Sequence, residues 1–166
     1  QVEPDIQQKN VRVRCAFHTG GKNGQGHLTL TVKDQTGKKV AESTTPVTFQ
    51  GKEDGVEQTL SLGKTIALWD EFSPALYTLD VSLSTDAGQD SRSLRFGMRK
   101  VEQGKHHIRL NDRDIHLRGV LDCAVFPLTG YPSTNPDDWR RIMGTIKEYG
   151  SIMSVFIPGA HLKPPL

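Results

Sequence analysis

The sequence predicts a mainly β protein, in which an immunoglobulin-like antiparallel β-sandwich is followed by a β-hairpin and one α-helix. Three observations favour this fold class. About seven short runs alternate apolar and polar side chains, which is the period of a half-buried strand. Gly-rich turn signals separate these runs, as they do in β-sandwiches. An apolar period of 3.6 residues, typical of a helix, occurs only towards the carboxyl end.

The first predicted strand is VRVRCAF, in which Val11, Val13, Cys15 and Phe17 share one face. We therefore expect Cys15 to be a buried core thiol. The following GGKNGQG is expected to be a hairpin loop, because it lacks the Lys-Ser/Thr ending and the helix of a phosphate loop. Further strands are predicted in HLTLTVKD, QTGKKVAEST, PVTFQ, VEQTLSL, LYTLDVSLST and DSRSLRFGMRKVEQ.

The segment after residue 103 predicts a hairpin and then a helix. KHHIRL and DIHLRGV flank NDR, which places Asn111 and Asp112 at the turn. Asn135 is a typical N-cap, Pro136 suits the first helical position, and Gly150 suits the position after the C-cap. The helix carries one apolar stripe, formed by Trp139, Ile142, Met143 and Ile146.

This stripe needs a cover, because one strand and one helix cannot bury their apolar faces alone. We expect it to pack on the sandwich, on the carboxyl-terminal tail or on another copy of the chain. A homodimer through the helix, or a swapped contact there, is the prediction.

Composition and charge exclude several classes of protein. The formal charge is +2, with 21 Lys and Arg mixed among 19 Asp and Glu, so the basic stripe of a nucleic-acid binder is missing. No stretch is apolar enough to span a membrane. Cys15 and Cys123 are far apart in sequence, so no disulfide is expected.

The sequence offers few candidates for a metal site or a sugar site. His106 and His107 are adjacent on a predicted strand and point to opposite faces, while His116 and Cys123 have no further ligands at useful spacing. We therefore expect no metal and no cofactor. Two aromatic residues, Trp69 and Tyr77, could stack on a sugar, but their alternation with apolar residues favours packing within the core or between domains.

Four segments resemble glycoside hydrolase family 2, the family of β-galactosidases, β-glucuronidases and β-mannosidases. LWDEFSPALYTLDVSL resembles the family's LW-x-x-x-x-P-x-LY-x-L-x-V, and FGMR resembles its FGFR. LNDRDIHLRGV resembles LNGKPI-x-LRGV at the entry to the catalytic barrel. EPDIQQKNVRV resembles the link that leaves the N-terminal jelly roll. The segments occur in the family's order and cover nearly the whole chain to Gly150.

The resemblance implies the middle immunoglobulin-like domain and then the first strand and helix of a (β/α)₈ barrel. Active sites of such barrels lie at the carboxyl ends of the strands, so the loop after IHLRGV would lie near the sugar. The family has RGVNRHE there and this chain has RGVLDCA, so only Asp122 is carried over, as a substrate-binding residue. Family members are retaining glycosidases that use two glutamates on later barrel strands, so the resemblance implies no catalytic residue here.

The tail SIMSVFIPGAHLKPPL does not resemble the family as protein. One choice of codons for it, read one base earlier, gives INHVRFHTWCPPEAA, and a branch of the family continues with INHVRFHSWCPPEAAF after its first barrel helix. The hypothesis is that one base was lost near the codon of Gly150. A naturally divergent tail is the alternative.

The sequence therefore predicts three regions: a sandwich over residues 1–103, the first barrel unit over 104–150 and an aberrant tail over 151–166. The favoured hypothesis is a fragment of a retaining β-glycosidase that is inactive by itself. Its parent enzyme would hydrolyse a terminal β-linked sugar, and the resemblance suggests that this parent is periplasmic or secreted. The alternative is a non-enzymatic β-sandwich module that binds carbohydrate or a protein partner.

Overall fold

The computed structural model describes residues 1–18, 21, 23–51, 53–122, 126, 128–151 and 153–156. Residues 53, 122 and 153–156 are described by their backbone only. The chain divides into two compact units, Gln1–Asp114 and Ile115–Leu166. The division falls within the second arm of the predicted hairpin, so the first arm and the turn belong to the first unit. The boundary expected after residue 103, and a separate tail after residue 150, stay predictions.

Seven strands of the first unit form two antiparallel sheets. They are β1 (Val2–Asp5), β2 (Asn10–His18), β3 (Gly24–Lys33), β4 (Lys39–Phe49), β5 (Glu53–Ser61), β6 (Tyr77–Thr85) and β7 (Gly88–Phe96). One sheet has the order β1-β2-β5 and the other β4-β3-β6-β7, and all of these pairs are antiparallel. The predicted class, a mainly β antiparallel sandwich, is confirmed.

The core lies between the apolar faces of the two sheets. Strand β3 contributes most, because Leu28, Leu30 and Val32 are each 0% exposed while the residues between them are not buried. This alternation is the one that the sequence predicts. The other buried residues of the same cluster are Val11, Val13, Val47, Phe49, Leu60, Leu62, Tyr77, Leu79, Phe96 and Met98.

Cys15 is half-buried, so the expectation of a buried core thiol was wrong in degree. It lies on the core face of β2 beyond the fully buried Val11 and Val13, where Phe17 is also only half-buried. Burial is still enough to raise the pKa of the Cys15 thiol above its ordinary value. The core is therefore less well covered towards the end of β2.

Three local expectations also differ from the structure. The segment taken as a link contains β1, which the missing alternation had hidden. The two short strands expected on either side of Pro46 form one strand, β4; it is at the sheet edge, where a missing N–H costs no ladder bond. Gly24 and Gly26, which were expected in the hairpin loop GGKNGQG, lie within β3. Glycine is needed at position 26 because a Cβ there would lie 2.4 Å from the carbonyl oxygen of Ser84.

A small sheet carries the predicted hairpin. It has the order β10-β9-β8, with β8 at Val101–Gln103, β9 at Ile108–Leu110 and β10 at Arg113–Ile115. Asn111 and Asp112 have φ of 51° and 65°, as a two-residue type I′ turn requires, so this prediction is confirmed. His106 and His107 lie exposed in the bend before β9 and not on a strand, because the Gly104 N–H donates to the His107 carbonyl at 2.8 Å.

The second unit contains β11 (Gly119–Asp122), α1 (Pro136–Glu148) and β12 (Met153–Phe156), with β11 and β12 parallel. The helix begins as predicted, since the Asn135 side chain accepts the Asp137 N–H at 3.0 Å and Pro136 follows. It ends as predicted too. Gly150, with φ of 75°, donates to the Lys147 carbonyl, and Ser151 donates to the Ile146 carbonyl, which is the Schellman pattern. That this unit starts a barrel stays a prediction.

We expect Leu30→Ala to lower the free energy of unfolding by about 2–5 kcal/mol, because it removes a fully buried side chain from the centre of the sandwich. Urea unfolding followed by circular dichroism measures this loss. Leu94→Ala on β7 is the matched control: Leu94 is 37% exposed, and its loss is expected to stay below about 1 kcal/mol. Equal losses in the two variants would contradict this account of the core.

Candidate functional site

Asp122, the one substrate-binding residue carried over from the resemblance, is the last residue of β11. In the parallel register it lies opposite Phe156, the last residue of β12. Both carboxyl ends therefore meet at one edge, which is where ligands bind in parallel α/β sheets. The Asp122 side chain and Cys123 lie outside the described residues, so the binding role of Asp122 stays a prediction.

The loop that precedes the helix is tied to the helix through Trp139. The indole Nε1–H of Trp139 donates to the Ser133 carbonyl at 2.6 Å, and the Phe126 ring meets the indole edge-on at 5.7 Å. The Ser133 hydroxyl donates to Asp138 at 2.6 Å and accepts the Asn135 N–H at 3.1 Å. These contacts tie Phe126 and Ser133 to the first turn of the helix.

The apolar stripe of α1 is only partly covered. Trp139, Ile142, Met143 and Ile146 are all half-buried, and no residue of the helix is fully buried. Tyr149, just past the helix, is 86% exposed. The stripe exists as predicted, whereas the homodimer through it stays a prediction.

Glycoside hydrolysis makes specific demands on a pair of carboxyl groups. A retaining glycosidase needs two carboxyl groups about 5–5.5 Å apart, one of which has a raised pKa so that it can donate a proton. Glu102 and Asp112 are close, but Lys100 Nζ lies between them, at 2.8 and 2.9 Å. Hydrogen bonding to Lys100 lowers the pKa of Asp112, so this pair is an ion-pair network with no acid.

The pKa of every described carboxyl group with a resolved shift is lowered, as that of Asp112 is. Wherever the pKa of a described Asp or Glu departs clearly from its ordinary value, the departure is downward, in each case chiefly because of a hydrogen bond to its side chain. The groups are Asp34, Glu42, Glu71, Asp80 and Asp112. None of these five carboxyl groups is therefore poised as a general acid.

The two aromatic residues considered for sugar stacking are used in packing. Tyr77 is 5% exposed, stacks on Phe96 with a centroid distance of 5.7 Å, and accepts the Ala67 N–H through its hydroxyl at 2.9 Å. Trp69 is half-buried with the Arg99 guanidinium 4.6 Å from its ring centroid. Packing, the interpretation that the sequence favoured, is the one that the structure shows.

Two features of the described residues bear on other kinds of site. No cluster of three or more His, Cys, Asp or Glu side chains there could hold a metal ion, and no described helix is long and apolar enough to cross a membrane. The described residues also form a cleft that the sequence did not predict. A cleft of about 850 Å³ opens between β2 of one sheet and β6 and β7 of the other. Its only signal in the sequence is that β7 is polar on both faces except at Leu94 and Phe96.

The comparison with family models decides the kinship of the chain. The model described as Glycosyl hydrolases family 2 matches residues 1–99, which span both sheets of the sandwich. The chain belongs to this family. The resemblance noted in the sequence is confirmed.

Two relatives of this family 2 chain are β-galactosidases. It is 30% identical over 128 residues to the β-galactosidase of Rhizobium meliloti, covering 74% of this chain and 16% of that protein. It is 31% identical over 133 residues to the β-galactosidase large subunit of Lactobacillus acidophilus, covering 78% of this chain and 20% of that protein. The chain therefore spans a fifth or less of the length of these relatives.

A solved structure shows the same fold. The glycosyl hydrolase family 2 member from Bacteroides cellulosilyticus DSM 14838 superposes with a TM-score of 0.79 at 19% identity. The superposition covers 92% of this chain and 22% of that one. At this identity the likeness establishes the arrangement of the backbone and nothing about activity.

An ion pair that joins the loop of Trp69 to the hairpin makes stability depend on pH. Arg113 donates to both carboxylate oxygens of Glu71, at 2.8 and 2.9 Å, which lowers the pKa of Glu71. A lowered pKa stabilises the fold above the ordinary pKa, and this contribution is lost as the pH falls through the folded value. We expect Arg113→Met to lower the urea midpoint of unfolding at pH 7. Below about pH 4 the midpoints of the variant and the wild type should become equal, because Glu71 is then protonated in both.

Glu71→Gln is the matched control, because it removes the titrating group and leaves Arg113 in place. It should show the same gap at pH 7 and the same closing at low pH. The double variant should be little worse than either single one. A gap for Arg113→Met that is equal at pH 7 and pH 3 would contradict the assignment.

Proposed function

We propose that this chain is the immunoglobulin-like middle domain and the first barrel unit of a β-galactosidase-like retaining glycosidase, and that by itself it hydrolyses no glycoside. The observation that carries the proposal is the order of its parts. A family 2 sandwich over residues 1–99 is followed by a strand, a helix and a parallel strand. A freestanding sandwich module that binds carbohydrate or protein has no use for that second unit.

The chemistry of the described carboxylates supports the inactive state. Cleavage with retention needs one carboxyl group to protonate the leaving oxygen and a second to attack the anomeric carbon. Each carboxyl group with a shifted pKa in the described residues is held ionised by a hydrogen-bonded partner. Such groups cannot donate the proton at neutral pH, so the catalytic pair of the parent enzyme would come from elsewhere.

In the parent enzyme this chain would act as a scaffold with one substrate contact. The sandwich would carry the barrel entry, and the β11 edge would present Asp122 to a hydroxyl of the sugar. The proposed regions are the sandwich over residues 1–103, the first barrel unit over 104–150 and an aberrant tail over 151–166. Strand β12 lies within that tail and takes a place parallel to β11, as a second barrel strand would. The proposal includes a periplasmic or secreted location for the parent, by resemblance.

We expect the pure chain to release no nitrophenol above background from nitrophenyl β-galactoside or β-glucuronide. Sequencing of the source gene beyond the codon of Leu166 supplies the control. If one inserted base near the codon of Gly150 opens a frame that encodes a barrel, the frame-restored protein should hydrolyse one of these substrates. Turnover by the short chain that Asp122→Asn abolishes would contradict the proposal, and so would a gene with no barrel in any frame.

We also expect the chain to form a homodimer through the stripe of Trp139, Ile142, Met143 and Ile146. Light scattering after gel filtration should give twice the mass of the chain at high concentration. Ile146→Glu should return the mass to that of a monomer, because a buried unpaired carboxylate is costly. Thr145→Glu on the exposed face of α1 is the matched control and should leave the dimer intact. A wild-type monomer throughout would exclude the dimer.

A further inference from the structure

Strand β7 is an edge of the four-stranded sheet, and among the described strands it pairs only with β6. The pairing runs without a bulge from Gly88 opposite Thr85 to Phe96 opposite Tyr77, and every residue of β7 before Phe96 is exposed. The other edge of the sheet, β4, contains Pro46, which hinders pairing with a further strand. The backbone of β7 contains no proline, so it is a regular edge that can accept another strand.

Pro46 also determines which backbone groups of β7 are free. It lies opposite His27 of β3 and has no N–H, so these two residues cannot exchange hydrogen bonds. The N–H and C=O of His27 therefore face β6, where they pair with Ser84. Backbone groups alternate between the two sides of a strand, so the neighbours of Ser84, which are Leu83 and Thr85, face β7.

The same alternation continues into β7. Asp90 lies opposite Leu83, so Asp90 and, two residues later, Arg92 exchange their backbone hydrogen bonds with β6. The residues between and beside these two turn their N–H and C=O groups to the free edge, and they are Gln89, Ser91 and Ser93. No described residue pairs with these backbone groups.

Two charged side chains of β7 lie on the face of the sheet that carries the core. Asp90 opposes Leu83 and Arg92 opposes Val81, and opposed residues share a face. Both charges are nevertheless exposed, at the rim of the cleft between the sheets. Among the described residues neither has an ion-pair partner. Inward charges on an edge strand exclude partners that do not offer the opposite charges at the same positions.

We propose that β7 pairs antiparallel with β7 of a second copy of the chain, about a two-fold axis at Ser91. The charges select both the partner and the register. Asp90 and Arg92 lie on either side of Ser91, so this axis places Asp90 of each copy opposite Arg92 of the other. An axis one residue away would place Asp90 opposite Asp90, or Arg92 opposite Arg92.

The backbone fits the same register. Ser91 opposes itself and Gln89 opposes Ser93, and these are the residues whose N–H and C=O groups are free. Asp90 and Arg92 then form non-hydrogen-bonded pairs, in which opposed side chains come closest. The association uses only the sandwich, so it depends neither on glycosidase ancestry nor on the stripe of α1.

Charge reversals in the whole chain test this pairing. Every form carries Ile146→Glu, which removes association through the helix. Asp90→Arg places Arg opposite Arg92, and Arg92→Asp places Asp opposite Asp90. The double exchange, Asp90→Arg with Arg92→Asp, restores opposite charges. Arg95→Asp is the matched control, because Arg95 is exposed on the same strand and would oppose the uncharged Ala87.

Sedimentation equilibrium at up to about 1 mM measures the association, because a short ladder with exposed ion pairs binds weakly and is lost on dilution during gel filtration. We expect the Ile146→Glu chain and the double exchange to dimerise, with each single reversal weakening the dimer roughly tenfold or more. An equal mixture of the two single reversals should recover it. Arg95→Asp should change the dissociation constant by less than about twofold. Circular dichroism checks that each variant folds.

Amide hydrogen exchange gives a second readout of the register. Dimerisation should slow exchange at Gln89, Ser91 and Ser93, and leave Asp90 and Arg92 unchanged because β6 already binds their N–H groups. A monomer up to about 1 mM in the Ile146→Glu chain would overturn the proposal. So would a double exchange that associates no better than the single reversals, or slowed exchange without this alternation.

Discussion

The structure of the first unit depends on burying one face of β3. This strand pairs with β4 on one side and β6 on the other, and its residues Leu28, Leu30 and Val32 are fully enclosed. Because side chains alternate with a period of two, a slip of one residue against either neighbour would turn all three to the solvent. The pairing register of the four-stranded sheet is therefore fixed by the apolar pattern of one strand, and the second sheet closes over that face.

A second constraint joins the hairpin to the sandwich. Trp69 donates its N–H to the Met98 carbonyl at 2.9 Å, and its own carbonyl accepts from the Asn111 amide at 3.0 Å. Gly97 makes room for the indole, since a Cβ there would lie 2.7 Å from the Cβ of Trp69. These residues belong to LWDEF, FGMR and LND, three of the segments that carry the family resemblance. Segments distant in sequence thus meet at one packing site, whose purpose is structural.

The family model matches the sandwich, and the packing site lies where three of the motifs shared with the family meet. The described acidic groups with shifted pKa values are ionised partners of Lys, Arg or hydroxyl groups. Catalysis in a retaining glycosidase instead needs two carboxyl groups in different protonation states.

Much of the fold could be predicted from the sequence because the information is local. The alternation in β2, β3 and β6 marks their core faces, Asn111 and Asp112 mark the type I′ turn, and Asn135 and Gly150 mark the two ends of α1. The family could also be recognised from short motifs. The strand, turn and helix signals each depend on a dihedral preference or a periodicity within a few residues. They can therefore be read without knowing which strand or sheet packs against them.

Other features were decided only by the tertiary structure. Strand β1 has no alternation of its own and exists because β2 offers it an edge, and β4 continues through Pro46 because that edge is free. The alternation of β2 places Cys15 on the core face. It is nevertheless half-buried, because it lines the cleft between the two sheets. The sequence by itself determined which faces are apolar. Strand order decided which of those apolar faces are buried. Burial depends on the element that the fold places against a face, and the pattern of one strand does not specify that element.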